Sequence, residues 1–203
     1  MTRFERFLDD LDAEWTACLP RRLTFRVIGS TALFLQEAYE RPTKDGDVLR
    51  AERDGFDDVV CAELKRLAGK DSSLAEHHRM YLDLVRGSLP YLPLDPVWHP
   101  YAGAWAHMDV LMLDVTDVCV SKLKRWKGSD RNDVSQMVER GALDHDTFVE
   151  RFEGMVEANR FDARAEELLP LMVERLHEVE RDLFAFPTET PIELPDWIQG
   201  PSS

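Results

Sequence analysis

Val27-Ile28-Gly29-Ser30-Thr31-Ala32-Leu33, followed after one short helix by Arg41-Pro42-Thr43-Lys44-Asp45-Gly46-Asp47-Val48-Leu49, decides how this 203-residue chain is read. Leu23 to Ile28 alternates and is rich in strand formers, Gly29-Ser30 turns the chain, and Thr31 to Tyr39 has helical character that must stop before Pro42. Thr43 to Leu49 then predicts a second strand. Side chains alternate faces along a strand, so Asp45 and Asp47 project from the same side of the sheet. Two carboxylates held side by side repel each other unless a cation lies between them, and Mg²⁺ is commonly held by one or two carboxylates together with substrate phosphates. The backbone N–H groups of the Gly29-Ser30 turn, at the start of a helix, suit phosphate oxygens.

Working outward, residues 3 to 19 carry Phe4, Phe7, Leu8, Leu11, Trp15 and Leu19 at helical spacing, closed by Pro20. Phe56 to Leu67 predicts a helix with Phe56, Val59, Val60, Leu64 and Leu67 on one face, ended by Gly69. Met80 to Val85 predicts a strand in which Asp83 faces the same way as Tyr81, an acid in an otherwise apolar segment that needs a partner if buried. Ser88 to Pro100 is proline-rich and is expected to be irregular and superficial. His107 to Leu113 reads as a strand, and Val115 to Arg125 as a helix capped by Asp114 or Thr116. Beyond Arg131 the pattern is helical: Asp133 to Glu139, Phe148 to Val156 capped by Asp144 or Asp146, and Ala163 to Phe184, which Pro170 is expected to kink or split. An extended tail follows. No internal repeat or long low-complexity segment interrupts the chain.

The expected class is therefore α/β (α+β) with a mixed sheet: an α/β core with its N-terminal helix over 1–128, a helical region over 129–186, and a Pro-rich tail over 187–203. With 25 Lys and Arg against 39 Asp and Glu the net charge is −14, which disfavours non-specific binding to DNA. Cys18, Cys61 and Cys119 have no paired zinc or redox spacing and read as packing thiols of a reducing compartment. No run approaches the roughly 18 apolar residues of a membrane span, so a cytoplasmic protein without membrane partners is expected. His77-His78 has no acidic or cysteine partner at ligand spacing and reads as a pair of surface residues in a loop.

Strand, Gly-Ser turn, helix and a strand bearing Asp-x-Asp is the order needed to bring a phosphate-binding turn beside a carboxylate pair. These segments resemble nucleotidyltransferases of the DNA polymerase β-like fold, and more closely the bacterial branch that includes toxin nucleotidyltransferases of abortive-infection systems. Ser121-Lys122-Leu123-Lys124-Arg125 and Asp130-Arg131-Asn132-Asp133 are similar to that branch's helix-borne lysine and Arg-x-x-Asp helix, so the likeness covers about residues 23 to 140.

The resemblance implies a Mg²⁺- or Mn²⁺-dependent transfer of a nucleoside monophosphate from a nucleoside triphosphate to a hydroxyl of RNA, protein or a small molecule. Asp45 and Asp47 would hold metal. A third carboxylate is expected from a neighbouring strand, Asp83 in preference to Asp109. Gly29, Ser30, Lys44 and Lys122 would contact the triphosphate, with Asp130 or Asp133 orienting Lys122. Lys122, Lys124, Arg125, Lys127 and Arg131 form the densest positive patch of the chain and read either as a solvated helix face or as the phosphate side of a cleft. The chain departs from the family pattern at Gly46, where Ile, Leu or Val is usual, and weaker strand packing is expected there. The alternative is a catalytically inactive nucleotide-binding or interaction module of the same fold, such as a component of a two-gene defence pair with a partner protein.

Overall fold

A computed structural model describes residues 1–15, 22–37, 44–86 and 91–199, with Glu52 and Gln199 described in their backbone only. The chain divides into two compact units: Met1–Leu89 together with Trp98–Leu113, and Pro90–Val97 together with Asp114–Ser203. The expected positions of Cys18, of Leu19 and Pro20, and of Arg41, Pro42 and Thr43 lie outside the described residues.

The first unit is a five-stranded mixed sheet with helices packed on it. Its strands are β1 (Leu23–Val27), β2 (Asp45–Arg50), β3 (Tyr81–Arg86), β4 (Trp98–Pro100) and β5 (Met108–Leu113), in the order β3-β2-β1-β5-β4. β1 runs antiparallel to β2 and parallel to β5, β2 is parallel to β3, and β4 is antiparallel to β5. Register separates two faces. Val27 pairs with Val48 and Met112, Phe25 with Val110, Leu23 with Met108 and Gly46 with Leu82, and all of these are buried. The other face carries Thr24, Arg26, Asp45, Asp47, Tyr81, Asp83, Asp109 and Leu111, none of them fully buried. A strand with one apolar and one polar side is what the alternation in the sequence demands.

Among the described residues, this unit also holds α1 (Arg3–Glu14), α2 (Gly29–Glu37), α3 (Asp58–Ala68) and α4 (Ser73–His78), with a 3₁₀ turn at Glu52–Asp54. α1 begins in a capping box, the Thr2 hydroxyl accepting from the Glu5 N–H at 3.1 Å while the Glu5 carboxylate accepts from the Thr2 N–H. It is shorter than the spacing predicts, because Trp15 leaves the helical conformation and is buried instead. Asp57 caps α3 through the Val60 N–H at 2.9 Å, and Val60, Leu64 and Leu67 are buried as expected. Val59, placed on the same face by the sequence, is exposed. The proline-rich segment is also more ordered than expected: Trp98–Pro100 is an edge strand, where a residue lacking an N–H is tolerated.

The second unit is helical. It contains α5 (Val115–Lys122), α6 (Gly128–Glu139), α7 (His145–Asn159), α8 (Ala165–Asp182) and the short α9 (Asp196–Gln199). Asp114 caps α5 through the Thr116 N–H, and Asp144 caps α7 through the Thr147 N–H and hydroxyl. α6 starts earlier than predicted, since the Asp130 carboxylate accepts from the Lys127 N–H at 3.0 Å and closes its first turn. α8 runs through Pro170 without splitting. The proline sits in its second turn, and buried Leu169, Met172, Leu176 and Val179 hold the helix against the one hydrogen bond lost. Tyr91, expected to be superficial, is fully buried and donates to Asp162 at 2.7 Å. Among the described residues no helix is long and apolar enough to cross a membrane.

Candidate active site

Gly29 opens α2 with φ +65°, a conformation that favours glycine, and a Cβ placed on it would lie 2.7 Å from Oδ2 of Asp47. The Asp47 carboxylate thus lies against the positive end of α2, where the helix dipole and the first N–H groups stabilise an anion. Two backbone ties fix this arrangement. The Ile28 N–H donates to the Asp47 carbonyl at 2.9 Å, and the Thr31 hydroxyl donates to the Asp45 carbonyl at 2.9 Å. The small-residue turn and the Asp-x-Asp strand are joined directly.

β3 brings the third acid. Asp83 pairs with Asp47 in the parallel register, and Tyr81 pairs with Asp45, so all four side chains leave the same face. Burial pushes the Tyr81 phenol pKa up, and the charges of Asp45, Asp83 and Asp47 push it further the same way. Tyr81 is therefore a neutral hydroxyl within the field of three carboxylates. The sequence already placed Tyr81 on the face of Asp83, and the same two-residue period could have marked it as a site neighbour.

Asp83 is exposed, contrary to the buried strand acid that its apolar neighbours suggested, because this face of β3 is left open within its unit. Asp109 is placed elsewhere. From β5 it pairs with Thr24 of β1, four residues along β1 from the level of Ile28 and Asp47, which is about 13 Å of strand. There it accepts two hydrogen bonds from the Arg22 guanidinium, each 2.7 Å long, and these hold its pKa low. Lys44 is exposed at the entry to β2, its carbonyl accepting from the Tyr81 N–H at 2.9 Å.

Gly46 has a packing reason that the sequence did not disclose. A Cβ there would meet Cε2 of Phe4 at 3.0 Å and Cδ2 of Leu82 at 3.3 Å. α1 thus packs directly beneath the Asp-x-Asp strand, and a larger residue would have to displace Phe4. The glycine is a point of close approach and not a gap in the packing.

Oxygen-only donors on one open face fit a hard divalent cation such as Mg²⁺ and offer nothing to a metal that prefers nitrogen or sulfur. Their spacing is open: among the described residues, the three side chains whose ligand atoms all come within 4.8 Å of one another are Asp10, His77 and His78. An open set is compatible with Mg²⁺, which completes its shell with phosphate and water oxygens.

Lys122 belongs to the helical unit, at the last turn of α5. It is buried, with Nζ 2.6 Å from Oδ2 of Asp133 and 3.6 Å from Oδ1 of Asp130. Asp130 also accepts two hydrogen bonds from Arg125, at 2.8 and 2.7 Å. Burial opposes the charge on Asp130, yet Arg125, Lys122 and the Lys127 N–H together hold its pKa low. The expected positive patch is largely neutralised. Arg131 pairs with Glu178 at 2.6 Å, and Lys124 lies 4.0 Å from the centroid of the Tyr91 ring, its pKa lowered by burial. Cys119 is buried and its thiol pKa is pushed up to about 12, in keeping with a packing role.

The profile of a family described as "Nucleotidyltransferase of unknown function (DUF6036)" matches residues 6–169. The chain belongs to this nucleotidyltransferase family. No curated protein and no solved structure matches it. The span that matches the family includes most of α1, the Gly29-Ser30 turn, all five strands and the Lys122 ion-pair cluster.

Proposed function

We propose that this chain has the polymerase β-like nucleotidyltransferase fold and moves a nucleoside monophosphate from a nucleoside triphosphate to a hydroxyl acceptor on RNA, protein or a small molecule, with Mg²⁺ or Mn²⁺ as cofactor. In that reaction the acceptor oxygen forms a bond to the α-phosphorus, the bond to the bridging oxygen breaks, pyrophosphate leaves, and the hydroxyl proton passes to solvent. The observation that carries the reading is the pairing of Asp47 with Asp83, with Asp45 on the same face and Gly29 in contact with the Asp47 carboxylate. Asp45, Asp47 and Asp83 would hold the cation, which supplies charge neutralisation at the phosphorus being transferred. Gly29 and Ser30 present the start of α2 to phosphate oxygens. Lys44, exposed immediately before Asp45, is the first candidate to contact the triphosphate. Lys122 is the second candidate for the triphosphate, although its ammonium is bonded to Asp133.

Incubation of the purified chain with each labelled triphosphate, Mg²⁺ or Mn²⁺ and total RNA tests the proposal. Label transfer that disappears in Asp45→Ala is the expected result. No transfer, or transfer undiminished in that variant, defeats it.

A second reading, a nucleotide-binding module of the same fold without catalysis and acting with a partner protein, is favoured by the commitment of Lys122 to Asp133 and Asp130. Calorimetry separates the two, because such a module binds triphosphate without requiring a divalent cation.

A further inference from the structure

We propose that Asp10, His77 and His78 form a second metal site, chemically distinct from the carboxylate face and suited to a late first-row divalent cation such as Zn²⁺. Sequence gave the histidine pair no partner, but the fold supplies one: α1 packs on α4, and Oδ2 of Asp10 lies 2.7 Å from Nε2 of His78. The His77 and His78 rings stand edge to face with centroids 4.7 Å apart, and one ligand atom from each of the three residues lies within 4.8 Å of the other two. Consecutive residues on a helix normally diverge by about 100°. Here α4 ends at this pair, with Arg79 in the left-handed conformation at φ 51°. The helix terminus that results is also the end that favours a cation.

The His78 side chain is built into the site. Only 7% of it is exposed, and its ring meets the Phe7 ring edge-on at 5.7 Å. Phe7 and Asp10 lie three residues apart on α1, so one helix face both packs the imidazole and supplies the carboxylate. An ionised carboxylate only accepts, so Nε2 of His78 carries the proton in that contact. When a metal takes Nε2, the imidazole adopts its other tautomer with the proton on Nδ1, so the ring binds as a neutral ligand. Tetrahedral ligands at about 2.0–2.1 Å from the metal sit roughly 3.3 Å apart. Asp10 and His78 therefore open by roughly 0.6 Å, and the exposed His77 ring closes to meet them. Two imidazoles and one carboxylate leave a fourth position for water, and this donor set favours Zn²⁺, Co²⁺ or Ni²⁺ over Mg²⁺. A metal here clamps α1 to α4.

The test uses the metal-free full-length chain titrated with Co²⁺, read by its visible absorption, with Zn²⁺ as competitor. One equivalent of Co²⁺ should give a visible band that Zn²⁺ removes and excess Mg²⁺ does not. His77→Gln and Asp10→Asn change exposed side chains and should fold, as circular dichroism checks, while weakening binding at least about tenfold, the scale of loss already seen for residues that merely support ligands. Asp45→Asn should keep the band, which separates this site from the carboxylate face. The proposal is overturned if no stoichiometric band appears, if excess Mg²⁺ abolishes it, or if it persists unchanged in both His77→Gln and Asp10→Asn.

Discussion

The buried acids of the helical unit and the acids on the face of β2 and β3 stand in different surroundings. In the helical unit each deeply buried carboxylate meets a cation. Asp117 accepts from Arg151 at 2.6 and 2.7 Å and from the Val97 N–H at 2.8 Å, Asp133 meets Lys122, and Glu180 meets His145. In the sheet unit Asp45, Asp47 and Asp83 share one strand face with one another, and the neutral Tyr81 stands in their field. Paired burial is how a fold carries charge at tolerable cost, whereas like charges set beside one another reduce stability and persist where a ligand uses them. The first arrangement is structural chemistry; the second is the one proposed here to hold a cation.

The sharpest way to break this comparison is to remove the cation from a buried cluster. Lys122→Met leaves Asp130 and Asp133 buried with one positive partner fewer, and a stability loss of about 3–5 kcal/mol is expected in urea unfolding. Stability within error of the unmodified chain would show that Lys122 is not a structural charge and would return it to the triphosphate.

Next in size is the converse substitution on the sheet. Asp83→Asn should lower nucleotidyl transfer at least about 100-fold, the scale on which loss of a charge-stabilising group acts. Its stability should be unchanged or raised by up to about 1 kcal/mol, because a like-charge neighbour of Asp47 is removed. Label transfer and urea unfolding on one preparation read both. A variant that loses stability and transfer together would place Asp83 with the structural acids of the other unit.

Much of the sheet was legible because its cues are local. Leu23 to Ile28, Gly29-Ser30 and the alternation through Asp47 fix β1, the start of α2 and β2, and period-two spacing puts Asp45 with Asp47 and Tyr81 with Asp83. Other features depend on contacts between distant segments. The register that sets Asp47 against Asp83, the Phe4 ring beneath Gly46 and the Asp10 carboxylate on His78 each join residues that no window of sequence contains. The proline-rich segment misled for a related reason: its composition conceals both the pairing of Trp98–Pro100 with β5 and the burial of Tyr91 beside Asp162 and Lys124.

Gly46 offers a more moderate test, on the buried side of the same strand. Gly46→Val would place a Cβ 3.0 Å from Phe4 and should cost about 1–3 kcal/mol through overpacking. Phe4→Leu in the same chain should recover part of that loss, so the double-mutant cycle gives a non-zero coupling. Additive losses would mean that α1 does not press on the Asp-x-Asp strand.

The smallest effect concerns a paired group and checks the sign of the comparison. Burial, the largest single influence on His145, pulls its pKa down, but hydrogen bonds to Glu180 and Asp146 and their charges outweigh it, and the net shift is upward from 6.5. A histidine whose folded pKa is raised contributes stability that is complete below its unfolded value and is lost as pH rises through the folded value. Glu180, with its pKa lowered by Thr190 and His145 against the effect of burial, contributes in the opposite sense, losing its share as pH falls through its own folded value. Thermal unfolding from pH about 6 to about 9 should therefore show a midpoint that declines as His145 loses its proton, and His145→Gln should flatten that decline. A decline unchanged in the variant would assign it to other groups and leave Glu180 held by Thr190 alone. A flattened one would show that a buried pair whose cation is a histidine contributes measurably to the fold of the helical unit.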